Sequence, residues 1–378
     1  MRARAFLILS LILGLTWASA HAQADTALEA ALAWLAGAQR PDGGFSGGSP
    51  DASDAGTTAD VVAGLAAAGV DPRSWTNMDR SPLDFLQEAA SATQGFSGNP
   101  GLAAKVVLAV EAAGDDPRQF GEHDLVASVL SGFDPATGLF GSGPFASALA
   151  LTALDAAGEA IPEGAVEGLL ATRLEDGSYS FNGDRSPGAG DSNTTAMAVL
   201  GLVAVERSDE VTASLEYFHG VQNEDGGWTY QKPSAFGEET DANSTALVLL
   251  ALDAAGEGWP EWGDPLTALL ALQQPDGSFA YNASTPGANL LATVQAIPAL
   301  AASARQPTPA TETASATAPP PSETPEPTDI SITPAATVTP EAGGGPAAGG
   351  GTALVVVALV VALGVALWLG QRSSVGPS

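Results

Sequence analysis

The sequence predicts an all-α protein of six helical hairpins in two concentric layers. Three observations carry this. Aromatic residues that follow a tight turn recur at Phe45, Phe96, Phe140, Tyr179, Trp228 and Phe279, spaced 51, 44, 39, 49 and 51 residues apart, as helical-hairpin repeats are. Each is preceded by an apolar stretch at helical spacing and followed, beyond a polar loop, by an apolar run of small residues. Four of those runs end in Ala-Ala-Gly with a Pro shortly after, the pattern of a helix that stops at a left-handed glycine.

Taken in order, the first hairpin joins LEAALAWLAGAQ to TADVVAGLAAAG through RPDGGF, and the second and third end in LAAKVVLAVEAAG and SALALTALDAAG. The fifth joins VTASLEYFHGVQ to STALVLLALDAAG through EDGGW, and the sixth joins LTALLALQQ to LLATVQAIPAL through PDGSF. Gly69, Gly114, Gly158 and Gly256 are the expected left-handed stops, with Pro72, Pro117, Pro162 and Pro260 behind them. The fourth repeat runs VAVERSDE instead and lacks this punctuation. The second helix of each pair is apolar nearly all round and belongs inside, while the first carries more polar residues and belongs outside.

The ends read differently. Residues 1–24 have a basic start at Arg2 and Arg4, a short apolar core and small-residue cleavage patterns at Ala18–Ala20 and Ala22–Ala24, as a secretory signal does. Residues 25–305 form the repeat domain. Residues 306–351 are dominated by Pro, Thr, Ser, Ala, Glu and Gly, a composition that reads as a disordered stalk. Residues 352–370 are uncharged and close to the ~20 residues a membrane helix needs, and residues 371–378 form a short cytoplasmic tail. The expected arrangement is a domain outside a single-pass cell membrane anchor.

Composition narrows the function. With 13 basic against 43 acidic residues, a net charge of −30, the chain is no partner for nucleic acid. No cysteine and only three histidines leave no thiolate metal site, disulfide or Cys nucleophile.

The turns Gln39–Phe45 and Gln222–Trp228, with the variant Gln273–Phe279, follow Q-x-x-D-G-G-[FW]. This resembles the repeat of the squalene cyclase and protein prenyltransferase superfamily, whose fold is an (α/α)6 toroid that transcobalamin-type carriers share. The resemblance implies a toroid over 25–305 with a central cavity. Its catalytic motifs do not carry over. There is no D-x-D-D, and Asp115-Asp116 continues Pro117-Arg118-Gln119 rather than D-D-x-x-D. Where the prenyltransferases hold zinc, the matching positions are Asp241-Ala242-Asn243 and Asn289, without the thiolate or the histidine. No metal and no cofactor is expected, and the reading leans away from an enzyme.

In such a toroid the starts of the inner helices ring the cavity mouth, which puts Asp54, Asp191, Asn193, Asp241, Asn243 and Asn289 there, with Trp228, Tyr230 and Tyr281 just after the turns. D-S-N-T-T and D-A-N-S-T, beginning at Asp191 and Asp241, are near duplicates. These side chains suit two uses: N-caps, each contributing about 1 kcal/mol, or a polar ring that orients a small hydrophobic or ring-shaped ligand, or an envelope partner. Asp191 and Asp241 are also the candidates for an acid–base pair of a cyclase, transferase or glycan-active hydrolase or lyase. The aromatic rings either staple the loops to the helices or stack on the ligand.

Overall fold

The computed structural model describes residues 22–48, 51–234 and 237–306. The expected signal up to residue 21, all but the first residue of the stalk, and the expected membrane segment and tail lie outside them. Among the described residues no helix is long and apolar enough to cross a membrane.

Six inner helices, α2 (Ala55–Ala67), α4 (Pro100–Ala112), α6 (Pro144–Ala156), α8 (Ser192–Ala204), α10 (Ala242–Ala255) and α12 (Leu290–Ser303), alternate with outer helices α1 (22–38), α3 (Pro82–Ala92), α5 (Leu125–Leu130), α7 (Ala165–Ala171), α9 (Thr212–Val221) and α11 (Pro265–Leu270). Each inner helix packs against the next in chain order, and α12 packs against α2. The ring is closed. Small residues make this possible: the Gly201 Cα lies so near α6 that a β-carbon there would meet the Ala148 carbonyl at 2.9 Å. Helix α1 begins ahead of the expected signal boundary at 24, with Ala24 already buried in the core.

The turn motif turns out to be the joint between repeats. The Gln39 amide donates to the carbonyl of Gly43 (3.0 Å) and to those of Trp75 and Arg80 in the following segment (both 3.3 Å). Gln222 does the same with Gly226 (2.8 Å) and Trp262 (2.7 Å). The glycine of the turn lies against the next outer helix: a β-carbon on Gly43 would meet the Ser81 carbonyl at 2.4 Å, and one on Gly177 the Ala213 carbonyl at 2.1 Å. Both glycines also have positive φ, 85° and 86°. The Asp-Gly pair therefore answers two demands at once, a left-handed turn and a close backbone approach.

The helix stops are as expected, with Gly69, Gly114, Gly158 and Gly256 at φ of 73°, 76°, 62° and 80°. The fourth repeat keeps the same shape without the glycine. Glu206 takes the left-handed conformation at 60°, and the Arg207 N–H reaches back to the Leu202 carbonyl at 2.8 Å, as its counterparts do elsewhere. The second repeat differs: Phe96 is itself left-handed at 61°, and the loop to Asn99, the cap of α4, is only two residues long.

Candidate functional site

The loops that follow the aromatic turns share one hydrogen-bonded device. The backbone N–H of the cap residue donates to the aromatic residue's carbonyl in the Asp54–Phe45 (2.9 Å), Asp191–Tyr179 (3.0 Å), Asp241–Trp228 (2.9 Å) and Asn289–Phe279 (2.9 Å) pairs. Four residues beyond the cap a hydroxyl accepts the aromatic residue's own N–H: Thr58, Thr195 and Thr245 at 3.0 Å and Thr293 at 2.8 Å. In the third repeat Ser147 does this for Phe140 at 2.9 Å. A buried turn thus has its backbone satisfied by the helix it feeds.

This device fixes the caps. Asp54 is exposed and accepts from the backbone of Thr57 (2.7 Å) and Gly47 (3.2 Å); Asn289, half-buried, accepts from Ala292 (3.0 Å). Asp191 and Asp241 are buried. Asp191 takes the backbone N–H of Thr194 on one oxygen (2.7 Å) and its hydroxyl on the other (2.8 Å), and Asp241 treats Ser244 identically, at 2.7 and 2.8 Å. Each also receives a backbone N–H from its own turn, Phe181 for Asp191 and Tyr230 for Asp241. Burial pushes both carboxyls up to about 7, and these donors only partly offset it.

Neighbouring loops are stitched over these caps. The Ser192 N–H donates to the Tyr230 carbonyl (2.8 Å) and the Ala242 N–H to the Tyr281 carbonyl (2.9 Å). Tyr230 and Tyr281 are therefore half-buried on top of the α8 and α10 starts, their phenols pushed up by burial and by Asp191 and Asp241 respectively. Trp228 is elsewhere. It is fully buried between the layers, donating its indole N–H to the Phe218 carbonyl (2.9 Å) and packing on Phe218 and Trp262. Its place in the expected ligand ring is corrected by that geometry: the ring is too large to turn outward once the turn backbone is pinned to α10, and it staples the outer layer instead.

The second and sixth residues past each cap lie on one stripe. Across α10 and α12 these positions meet, Asn243 donating to the Gln295 side chain at 2.5 Å. Across α2 and α4, a β-carbon on Gly56 would lie 3.9 Å from the Lys105 ammonium. The sixth positions are Asp60, Lys105, Leu149, Met197, Leu247 and Gln295, all buried. Lys105 sits 2.7 Å from Asp60, with both side chains almost wholly out of solvent. Burial pushes Asp60 up to about 8 in spite of Lys105. The axis of the ring is therefore filled by side chains at this level.

Sequence reasoning missed Asp60, Lys105 and Gln295. The signal was present: they are polar interruptions, six residues past a cap, in helices otherwise apolar all round. It also missed that Asn193 and Asn243, a duplicated pair, differ in partner. Asn193 leaves its carbonyl oxygen buried without a hydrogen bond, whereas the Tyr217 phenol bonds the Ser192 side chain. Among the described residues no cluster of three or more His, Asp or Glu side chains is arranged for a metal.

Solved structures with the same architecture include a protein from Actinoplanes, 17% identical over 74% of this chain and 99% of that one, with a TM-score of 0.55. The type II terpene cyclase MstE from Scytonema, in its apo form, is 14% identical over 75% and 99%, with a TM-score of 0.57. An unsaturated glucuronyl hydrolase specific for heparin is 11% identical over 77% and 97%, with a TM-score of 0.54. At these identities the likeness is one of fold. No curated protein sequence matches the chain. The model of the prenyltransferase α/α-toroid domain matches residues 3–106 and 193–301, leaving between them the end of α4, the third hairpin and the outer helix and loop of the fourth, which the structure folds as parts of the same ring. By that match, and by its closed ring of six hairpins, the chain belongs to the prenyltransferase α/α-toroid domain family.

Proposed function

We propose that the toroid is a binding module, held outside the membrane by its stalk and anchor, whose ligand rests in a bowl at the mouth of the ring, over the starts of α8, α10 and α12. One observation carries this reading. Asp191 and Asp241 each accept a backbone N–H on one oxygen and a hydroxyl on the other from the first turn of their own helices, and Asp191 also bonds the Tyr230 phenol, so both are engaged in holding the helices and loops around the mouth. The polar groups left at the mouth, with the Tyr230 and Tyr281 rings, suit recognition of a small ring-shaped molecule.

The test uses the full-length chain in detergent. Native mass spectrometry as purified is expected to reveal a bound molecule, and adding that molecule to stripped protein is expected to raise the melting temperature. A ligand-free mass together with no thermal shift from any saccharide or isoprenoid tried would overturn the reading.

A second reading is favoured by one observation, the elevation of both buried carboxyls to about 7, the range suited to acid–base work near neutrality. It makes the protein an enzyme of the kind its structural relatives are. Asp191→Asn and Asp241→Asn decide between the two: loss of turnover with ligand binding intact supports the enzyme, while unchanged binding and no turnover in the unsubstituted protein supports the module.

A further inference from the structure

Two small-residue patterns near the start of the chain, Ala18-Ser19-Ala20 and Ala22-Gln23-Ala24, each fit the rule for removal of a secretory signal. Sequence leaves the choice between them open, but the fold treats the residues around them very differently. Helix α1 is already helical at Ala22. Ala24 is wholly buried and belongs to the main core, in one cluster with Ala27, Ala31 and Leu35 of the same helix. These four stand at i, i+3, i+7 and i+11, a single apolar stripe whose first member is Ala24.

The stripe lies beside the seam of the ring. The Ala27 carbonyl accepts the Gln273 amide at 2.8 Å, and Gly277 approaches α1 so closely that a β-carbon on it would meet the Ala30 carbonyl at 2.3 Å. The last repeat is thus fastened to the first through the N-terminal turns of α1. A cut after Ala24 would make Asp25 the first residue of the chain and Ala27 the third. The N–H groups of Thr26, Ala27 and Leu28 would lose the carbonyls of Ala22, Gln23 and Ala24. The Thr26 hydroxyl, which donates to the Ala22 carbonyl at 3.1 Å, would lose its acceptor. A new ammonium would also stand at the positive end of the helix, beside a gap in the core. Cut after Ala20, the chain begins at His21 and keeps all of these groups. Ala27 is then the seventh residue, past the end that frays.

We propose that the signal is removed by hydrolysis of the Ala20–His21 peptide bond, so that the mature chain begins at His21 and the whole of α1 enters the ring. Water adds to the Ala20 carbonyl carbon, the C–N bond breaks, Ala20 leaves as a carboxylate and the His21 amine takes the proton. The reaction belongs to a membrane-bound endopeptidase that reads small residues at the first and third positions before the cut. Packing accounts for the second pattern without any processing there, because the core requires a small apolar residue at Ala24. The site of cleavage is independent of what the ring binds.

N-terminal sequencing and intact mass of the full-length chain, made in a secreting host with its own N-terminus and extracted in detergent, test this. A start at His21 is expected; a start at Asp25 or at Met1 overturns the proposal. Ala22→Leu spoils only the second pattern, at an exposed position, and is expected to leave the His21 start unchanged. Uncut protein from this variant also overturns the proposal. Deleting residues 21–24 keeps the first pattern and yields a chain that begins at Asp25. That chain is expected to unfold at a urea midpoint lower by about 0.5 M, and an equal midpoint overturns the packing argument on which the choice of site rests.

Discussion

The side-chain amide of Gln273 donates to the carbonyl of Ala27 at 2.8 Å, across 246 residues of sequence, and to Gly277 at 3.1 Å. This is the same joint that Gln39 and Gln222 make with their successors, used here to fasten the last repeat to the first. Gly277 completes it, since a β-carbon there would meet the Ala30 carbonyl at 2.3 Å.

Ring closure can accordingly be weakened at one point. Gln273→Ala orphans a carbonyl at the seam and is expected to lower stability by about 1–3 kcal/mol. Gly277→Ala, at φ of 92° and with no room for a methyl group, is expected to cost at least as much. Urea unfolding of each variant checks both, and a loss below ~0.5 kcal/mol for Gly277→Ala would mean that the seam opens without penalty.

Stability should fall as pH rises from about 4 to about 8. Asp191 and Asp241 hold their protons up to about 7 in the folded chain and Asp60 up to about 8, against an ordinary value of 3.8. Between those limits the folded state binds protons that the unfolded chain has released, so the slope is negative, and it flattens above the folded values. A shift of ~3 units at one site corresponds to at most about 4 kcal/mol. Urea midpoints at pH 4.5, 6 and 8 measure this. A midpoint that climbs over that range would show that the capping bonds and Lys105 hold the carboxylates ionised.

The ion pair at the hub should be expendable as a pair but not singly. Above about pH 8, where Asp60 is ionised, Asp60→Ala leaves the Lys105 ammonium buried without its counter-charge and is expected to cost about 3–5 kcal/mol. Asp60→Leu combined with Lys105→Met fills the space with apolar groups and is expected to be neutral or stabilising by about 1–4 kcal/mol. Thermal melts of the single and double variants compare them, and equal losses in both would mean that the pair has a favourable net worth in place.

Glu206 pays for a shape that glycine adopts freely in four other repeats. Glu206→Gly is expected to raise stability by about 1 kcal/mol by removing the left-handed strain, read as a shift in urea midpoint. No gain would mean that the added freedom of the unfolded chain cancels the strain relieved.

Most of the architecture was legible because each repeat announces itself at least twice, in an aromatic and in an Asp-Gly turn, a glycine stop or both, all of them local. The N-caps were legible for the same reason: Asp191 and Asp241 need only the next three residues to do their work. What escaped was whatever depends on the ring being closed. That Asp60 meets Lys105, or that Asn243 finds Gln295 while the Asn193 oxygen finds no partner, follows from helices tens of residues apart arriving at one axis. Trp228 was misplaced because its sequence neighbours Tyr230 and Asp241 do reach the mouth, while its own ring turns back into the wall. Glu206 shows the reverse case, a missing signal with the structure unchanged, because the flanking repeats dictate the corner.

A hoop has no natural beginning. The chain enters at the start of α1 and leaves after α12 on the face opposite the loops, where Gln306 clasps the Trp259 N–H (3.0 Å) and Asp253 (2.7 Å). Since α12 lies against α2, the partner of α1, a short flexible linker could join these ends and new ones could be cut elsewhere. The exposed 184–188 stretch of the fourth repeat's loop is the natural place for the cut. A permuted chain opened there should fold into the same ring, with both of its ends moved to the face that carries the loops.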